Sequence, residues 1–245
     1  MDADALLALV KKRRSIRRFK PDSVPPASLE IMLETARWAM SGANAQPWEF
    51  VVVRDKGLLQ QIAASWYEPH CDVYSFEQTR IPELRLTPLR ERCDTAPPWQ
   101  DAPVLIVVLG DKRTYQATIL AANYLDTEGA SDAIYYKNMA NATQLLHMSA
   151  ASQGLGSMWL SVNRPWGQAL KRLLNIPDVL DVHSIAAVGY PAYEPPPAFR
   201  RSLHDIVHYD RYDQRKYRSA EDIRQYICEL RGHTEGAYRQ GFLEK

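Results

Sequence analysis

The stretch DAIYYKNMANATQLLHMSAASQGLGSMWL, residues 132–160, sets the fold class. Ala142, Leu145, Leu146 and Ser149 recur at helical spacing and line one face with small and medium side chains. A neighbouring helix can therefore approach closely. Gly154 is a natural C-terminal stop for this helix, and a short segment, SMWL (157–160), follows it. The helix belongs to a mixed protein, because short β-branched apolar runs lie elsewhere. EFVVV (49–53) and VLIVVL (104–109) read as strands buried on both faces, and HSIAAVGYP (183–191) as a strand ending in a turn.

Working outward, Leu6, Leu9 and Val10 predict a short amphipathic helix over 3–13. In SVPPASLEIMLETARWAM (23–40), Pro26 suits a first helical turn. Leu29, Met32, Leu33, Ala36 and Met40 then fall on one face, as in a buried helix. PWGQALKRLLNIP (165–177) is a second short helix, and EPPP (194–197) is a stiff, extended connector. Residues 66–100 mix prolines, aromatics and charges without a clean period, and read either as a lid over a binding site or as a helical insertion. Their aromatics, Trp66, Tyr67, Tyr74, Phe76 and Trp99, suit stacking on a planar substrate or packing in the core of such an insertion. From about 209 to 245 the chain is charged and tyrosine-rich. With no internal repeat and no low-complexity linker, the expectation is one domain over 1–245, with a lid at about 66–100 and a C-terminal extension from about 209.

Composition narrows the function classes. The 245 residues are 46% hydrophobic and 24% charged, with a formal net charge of +1. That is the balance of an ordinary globular protein, and it lacks the broad basic surface of a general nucleic-acid or membrane binder. No apolar run approaches the roughly 20 residues of a membrane span. The opening MDADALLALVKKRR is acidic, and its apolar stretch is too short for a signal sequence. Cys71, Cys93 and Cys228 cannot all pair and form no CxxC motif, which fits a reducing cytoplasm.

Against that near-neutral background, RRSIRRFKPD (13–22) holds four arginines and a lysine in ten positions. Arginine forks match phosphate oxygens in pairs, and Ser15 adds a hydroxyl. A phosphate clamp and a solvated basic turn both account for these residues alone. In SGANAQPWEF (41–50), Ser41, Asn44 and Gln46 offer donors and acceptors suited to the polar edge of a heterocycle. Gly42 allows close backbone approach, and Pro47 restricts Gln46 to an extended shape. An ordinary helix-to-strand loop has the same composition. In HDIVH (204–208) two histidines stand four apart, but the intervening residues lack a glutamate and suit a strand. No third zinc ligand is evident. The glycine fingerprints of dinucleotide and P-loop sites are absent, as is the serine-hydrolase elbow, and no histidine is marked as a partner for a cysteine nucleophile.

In their order along the chain, RRSIRRF, SGANAQPWEFVVV, DAPVLIVV, NATQLLHMSAASQGLGSMWL and AAVGYP followed by RRSLHDIV resemble the nitroreductase-like flavoprotein superfamily over about residues 6–208. The resemblance implies an α+β fold with a central, mostly antiparallel sheet flanked by helices. It also implies an interlocked homodimer with FMN at the interface. Carried over, Arg13, Arg14, Ser15 and Arg17 would grip the FMN phosphate and the flavin pyrimidine edge. Ser41, Gly42, Asn44 and Gln46 would come from the other subunit. Trp159, Leu160 and Ser161 would lie by the ring with their backbone, and Arg200, with Arg201 beside it, would return to the phosphate. Arg17 would set positive charge near flavin N1, where reduction places a negative charge. No catalytic acid or base is implied, because the flavin carries the chemistry.

The implied activity is transfer of a hydride from NADPH or NADH, through flavin N5, to an electron-poor small molecule such as a nitroaromatic or a quinone. Alternatives are a flavin-dependent reductive dehalogenase, an oxygen-dependent oxidase, a non-catalytic flavin-binding protein, or an arginine patch that docks an acidic protein. The sequence departs from the family at Met40, where a proline usually precedes the serine loop. The iodotyrosine deiodinase branch closes its lid with a Glu–Tyr–Lys clamp. Tyr67, Glu68, Tyr74 and Glu77 lie in the corresponding stretch without reproducing that pattern.

Overall fold

The apolar run at 104–109 becomes the centre of a four-stranded sheet. A computed structural model of the chain describes residues 2–85, 96–114 and 130–242. Its principal elements are α1 (Ala3–Lys12), α2 (Pro26–Arg37), β1 (Trp48–Val53), α3 (Lys56–Ser65), α4 (Tyr67–Gln78), β2 (Val104–Gly110), α5 (Ala130–Ser152), β3 (Gly156–Ser161), α6 (Arg164–Leu174), β4 (Asp181–Gly189), α7 (Leu203–Ile206) and α8 (Ala220–Phe242). The strands run in the order β1-β2-β4-β3, and every neighbouring pair is antiparallel. β2 pairs Val53 with Leu105 on one side and Val188 with Val104 on the other, and all seven of its residues are buried.

Alternation along β2 serves two cores. Val104, Ile106 and Val108 face α2 and α5, where Met32, Met139 and Leu146 meet them. Leu105, Val107 and Leu109 face α3 and α6, where Ile62, Trp166 and Leu170 close the layer. Helices thus cover both faces of the sheet, in the α+β arrangement the family resemblance implies. Local chemistry sets the boundaries. Asp2, Asp55 and Asn163 accept N-terminal amide hydrogens of α1, α3 and α6. Gly154, at φ +74°, ends α5.

Several sequence expectations need correction. β1 is an edge strand, so Phe50, Val51 and Val52 are only half-buried rather than enclosed on both faces. α1 forms where its periodicity places it, yet Leu6, Leu7 and Val10 are exposed. Met40 lies beyond the end of α2 and is 80% exposed. The segment at 203–206 is one helical turn capped by the Ser202 hydroxyl, not a strand. Trp99 is a core residue stacked on Trp166 at 5.9 Å, which removes it from the substrate-stacking set. Phe76, by contrast, is exposed. Residues 86–95, with Cys93, lie outside the described residues, as do the side chains of Glu68, Tyr74 and Glu77.

By its internal contacts the chain divides into two compact units, residues 1–69 with 96–194 and residues 70–95 with 195–245. The first holds the sheet and both cores. In the second, α8 packs on the turn Pro82–Leu84, Phe199 stacks on His233 at 4.5 Å, and Arg218 lies 5.1 Å over the Tyr226 ring. Among the described residues no helix is long and apolar enough to cross a membrane.

The joint between β2 and α5 gives a test. A Cβ on Gly110 would collide with the Tyr135 hydroxyl, the far end of a fully buried ring. Gly110→Ala is therefore expected to destabilise the protein by about 1–3 kcal/mol, read as a lower midpoint in urea unfolding.

Candidate active site

Two apolar side chains fix the arginine segment. Ile16 and Phe19 are buried, while Arg13, Arg14, Arg17 and Arg18 around them are half-buried. Ile16 fits where β3 has no side chain: a Cβ on Gly156 would lie 2.6 Å from Ile16 Cγ1. Phe19 uses the same device on β4, where a Cβ on Gly189 would lie 3.0 Å from its ring. Backbone bonds complete the attachment. Ser15 bridges in parallel to Ser157, and the Ile16 N–H donates to the Ser157 carbonyl at 3.0 Å. The Lys20 N–H donates to the Tyr190 carbonyl at 2.8 Å. The cations thus follow directly from the end of α1, where the Arg13 N–H still donates to the Leu9 carbonyl. Arg18 lies 5.1 Å over the Tyr193 ring. The backbone of Arg13, Arg14, Ser15 and Arg17 is thus held against the sheet as one locally cationic strip.

β3 is the other edge strand, and Ser15 pairs with its outer side. Backbone direction alternates along a strand. Trp159 and Ser161 therefore turn their N–H and C=O groups to the same outer side as Ser157, and Leu160 turns its own to β4. Leu160 is buried, Trp159 is 44% exposed and Ser161 is exposed. Within this trio, two residues offer main-chain groups outward and the third packs the core.

The 41–46 loop is strained in a way the sequence reading missed. Gly42 has no unusual backbone. The left-handed positions are Ala43 (φ +54°), Asn44 (φ +52°) and Gln46 (φ +46°). Gln46 is therefore not extended, despite Pro47. Non-glycine residues rarely hold such angles unless the surroundings impose them. Here α5 imposes them: Asn138 Oδ1 accepts from the Gly42 N–H at 3.0 Å, and Asn141 Nδ2 donates to the Met40 carbonyl at 3.0 Å. Ser41 Oγ accepts from the Gln46 N–H at 3.1 Å, and Gln46 Nε2 donates to the Asn44 carbonyl at 3.2 Å. The loop is a braced polar turn with Asn44 and Gln46 exposed.

A row of rings runs beside β3. His147 of α5 stacks on Trp159 at 6.1 Å, Trp159 lies 6.4 Å from His183, and His183 stacks on Tyr136 at 6.3 Å. Burial, and secondarily the charge of Arg13, pulls the His147 imidazole down to about 4. Burial also lowers His183, with Asp181 opposing it. Both rings are therefore neutral at pH 7. Arg200 and Arg201 belong to the second unit, where their guanidinium groups donate to the carbonyls of Phe199 (2.7 Å) and Asp205 (3.0 Å).

Sequence reasoning missed Gly156, Gly189, Ser157, Asn138, Asn141 and His147, the residues that hold the others in place. Asn138, Asn141 and His147 did carry a signal: polar side chains inside an otherwise well-formed helix need a partner. The glycines carried none, since their role depends on which distant side chain lies against them.

Fold and site together define an α+β protein with a cationic strip on one sheet edge and a braced, amide-rich loop. The comparisons make the class specific. The family model described as "Nitroreductase family" matches residues 10–190. An iodotyrosine deiodinase of Thermotoga neapolitana is 30% identical, the match covering 84% of this chain and 98% of that protein. An NADH dehydrogenase of Thermus thermophilus is 27% identical, covering 80% and 91%. A crystal structure of oxidized iodotyrosine deiodinase bound to FMN and 3-iodo-L-tyrosine superposes with TM-score 0.64 at 28% identity, covering 84% of this chain and all of that one. The chain belongs to the nitroreductase family and is an FMN-dependent oxidoreductase.

The contact between Ile16 and Gly156 supplies a prediction. Gly156→Ala must push Ile16 off β3, so it is expected to cost about 1–3 kcal/mol of stability and to weaken FMN binding at least tenfold. Fluorescence titration checks the second effect. Ala→Gly at position 43, in the separate loop, is expected to leave the protein folded and relieve backbone strain.

Proposed function

We propose that two copies of the chain form a homodimer with FMN at each interface, and that the enzyme moves electrons from NADPH or NADH to an electron-poor aromatic or quinone. The observation that carries this is the strip Arg13–Arg17 seated on the outer side of β3. Its charge suits a phosphate dianion, and the adjoining main-chain groups of Trp159 and Ser161 suit the polar rim of a flavin. Arg13, Arg14 and Ser15 would hold the phosphate and pyrimidine edge. Arg17 would favour the negative charge that reduction places on the ring. When bound, FMN supplies the two-electron chemistry at N5.

The spacing along α5 supports a shared site. Asn138 braces the 41–46 loop, and His147 engages Ser157, to which the arginine strip is paired. Nine residues separate them, about 14 Å of helix. A loop that far along the helix from its own chain's strip suits a partner's cofactor, so Ser41, Gly42, Asn44 and Gln46 are assigned to the neighbouring subunit's FMN. The exposed apolar side chains of Leu6, Leu7, Val10, Trp38 and Met40 suit burial against a second copy. The segments at about 66–100 and from 209 onward are proposed as additions to one nitroreductase-like domain. A cytoplasmic setting and a small-molecule substrate complete the proposal.

A second reading, reductive dehalogenation, draws on the deiodinase names of the relatives. Anaerobic stopped-flow absorbance separates the two. Purified protein is expected to carry about one FMN per chain, to be bleached by NADPH or NADH, and to be reoxidised faster by a nitroarene than by 3-iodo-L-tyrosine. Reoxidation by iodotyrosine alone, with iodide released, selects the second reading. Bound FMN that no pyridine nucleotide reduces contradicts the NAD(P)H-dependent reading.

A further inference from the structure

His147 is a buried imidazole with no place in the proposed chemistry. It is 3% exposed. Its Nδ1 lies 2.7 Å from Ser157 Oγ, its ring stacks on Trp159 at 25°, and its Nε2 is buried without a hydrogen-bond partner among the described residues. An apolar side chain would fill this position without burying a polar nitrogen. What the imidazole does, and an apolar group cannot, is join three parts of the site. Ser157, which it engages, is the residue that bridges to Ser15 and accepts the Ile16 N–H. Trp159, which it supports, is the next outward-facing residue of β3. Arg13 is the charged group that bears on the ring, from the segment after α1. The neighbours on β3, Ser157 and Trp159, are uncharged.

We propose that His147 is a positioning residue for the anion clamp: it fixes Ser157 and Trp159 so that Ser15 and the arginines stay aligned for a phosphate. The proposal rests on reading the strip as the FMN phosphate site. Burial, with the charge of Arg13 adding to it, pulls the ring down to about 4, so at pH 7 it acts as a neutral hydrogen-bonding and stacking group.

The test is FMN affinity of the full chain, read by flavin fluorescence quenching at pH 7, with riboflavin as the phosphate-free control and inorganic phosphate as a competing probe. His147→Gln, which can still hydrogen-bond Ser157, is expected to stay within about threefold of wild type. His147→Leu and Ser157→Ala, which cannot make that bond, are expected to bind about tenfold more weakly, a loss of the size of one hydrogen bond to a buried polar group. Ser157→Ala keeps the test valid where His147→Leu fails to fold. Full FMN affinity in both variants, or an equal loss for FMN and riboflavin, overturns the proposal alone. Wild-type protein that binds neither FMN nor phosphate overturns the clamp reading and this proposal together.

Discussion

Ile16 lying on the bare backbone of Gly156 is the contact on which the candidate site depends. It brings a segment with four arginines against the edge of a sheet and holds it there. Like charges so close resist such packing, at about 1 kcal/mol per pair at 4 Å in water-like surroundings. Burying Ile16 and Phe19 contributes about 1.5–3 kcal/mol each, and two backbone bonds to Ser157 and Tyr190 add to it. These contacts hold the backbone of the arginine segment against the sheet before any ligand arrives. An anion that binds there gains from charges whose ordering cost has already been met by folding.

α5 plays the complementary part. Its apolar face closes one core of the sheet through Met139 and Leu146. Its polar residues hold the functional segments: Asn138 and Asn141 the strained loop, His147 the strand beside the clamp. One long helix thus sets the distance between two pieces of site that meet, under the proposed dimer, only across subunits. The three left-handed residues at 43, 44 and 46 are the price of presenting that loop's amides outward.

The architecture was largely legible in the sequence. Periodicity located α1, α2, α5 and α6, and β-branched runs located β1, β2 and β4, because those elements bury a face whose pattern repeats locally. The order of motifs brought out the family, and the arginine strip and serine loop were both singled out. What escaped was relational. The all-buried reading of 49–53 failed because a strand's rank in the sheet is not written in the strand itself. Gln46 escaped because the asparagines of α5, ninety residues away, override the usual influence of Pro47. Trp99 read either as a substrate-stacking aromatic or as part of an insertion's core, and it is a core residue stacked on Trp166 of α6. His147 was not singled out, because its partner Ser157 is found only once α5 is placed against β3.

The central claim is that the arginine strip recognises the phosphate of FMN. The most direct measurement is the ratio of FMN to riboflavin affinity in wild-type protein and in the double variant Arg13→Ala, Arg17→Ala, by fluorescence titration. A phosphate clamp gives a wild-type preference for FMN of about a hundredfold or more, two charge-assisted contacts' worth, and a preference that collapses towards unity in the variant. Equal affinity for the two flavins in wild-type protein, or an unchanged preference in the variant, would contradict it.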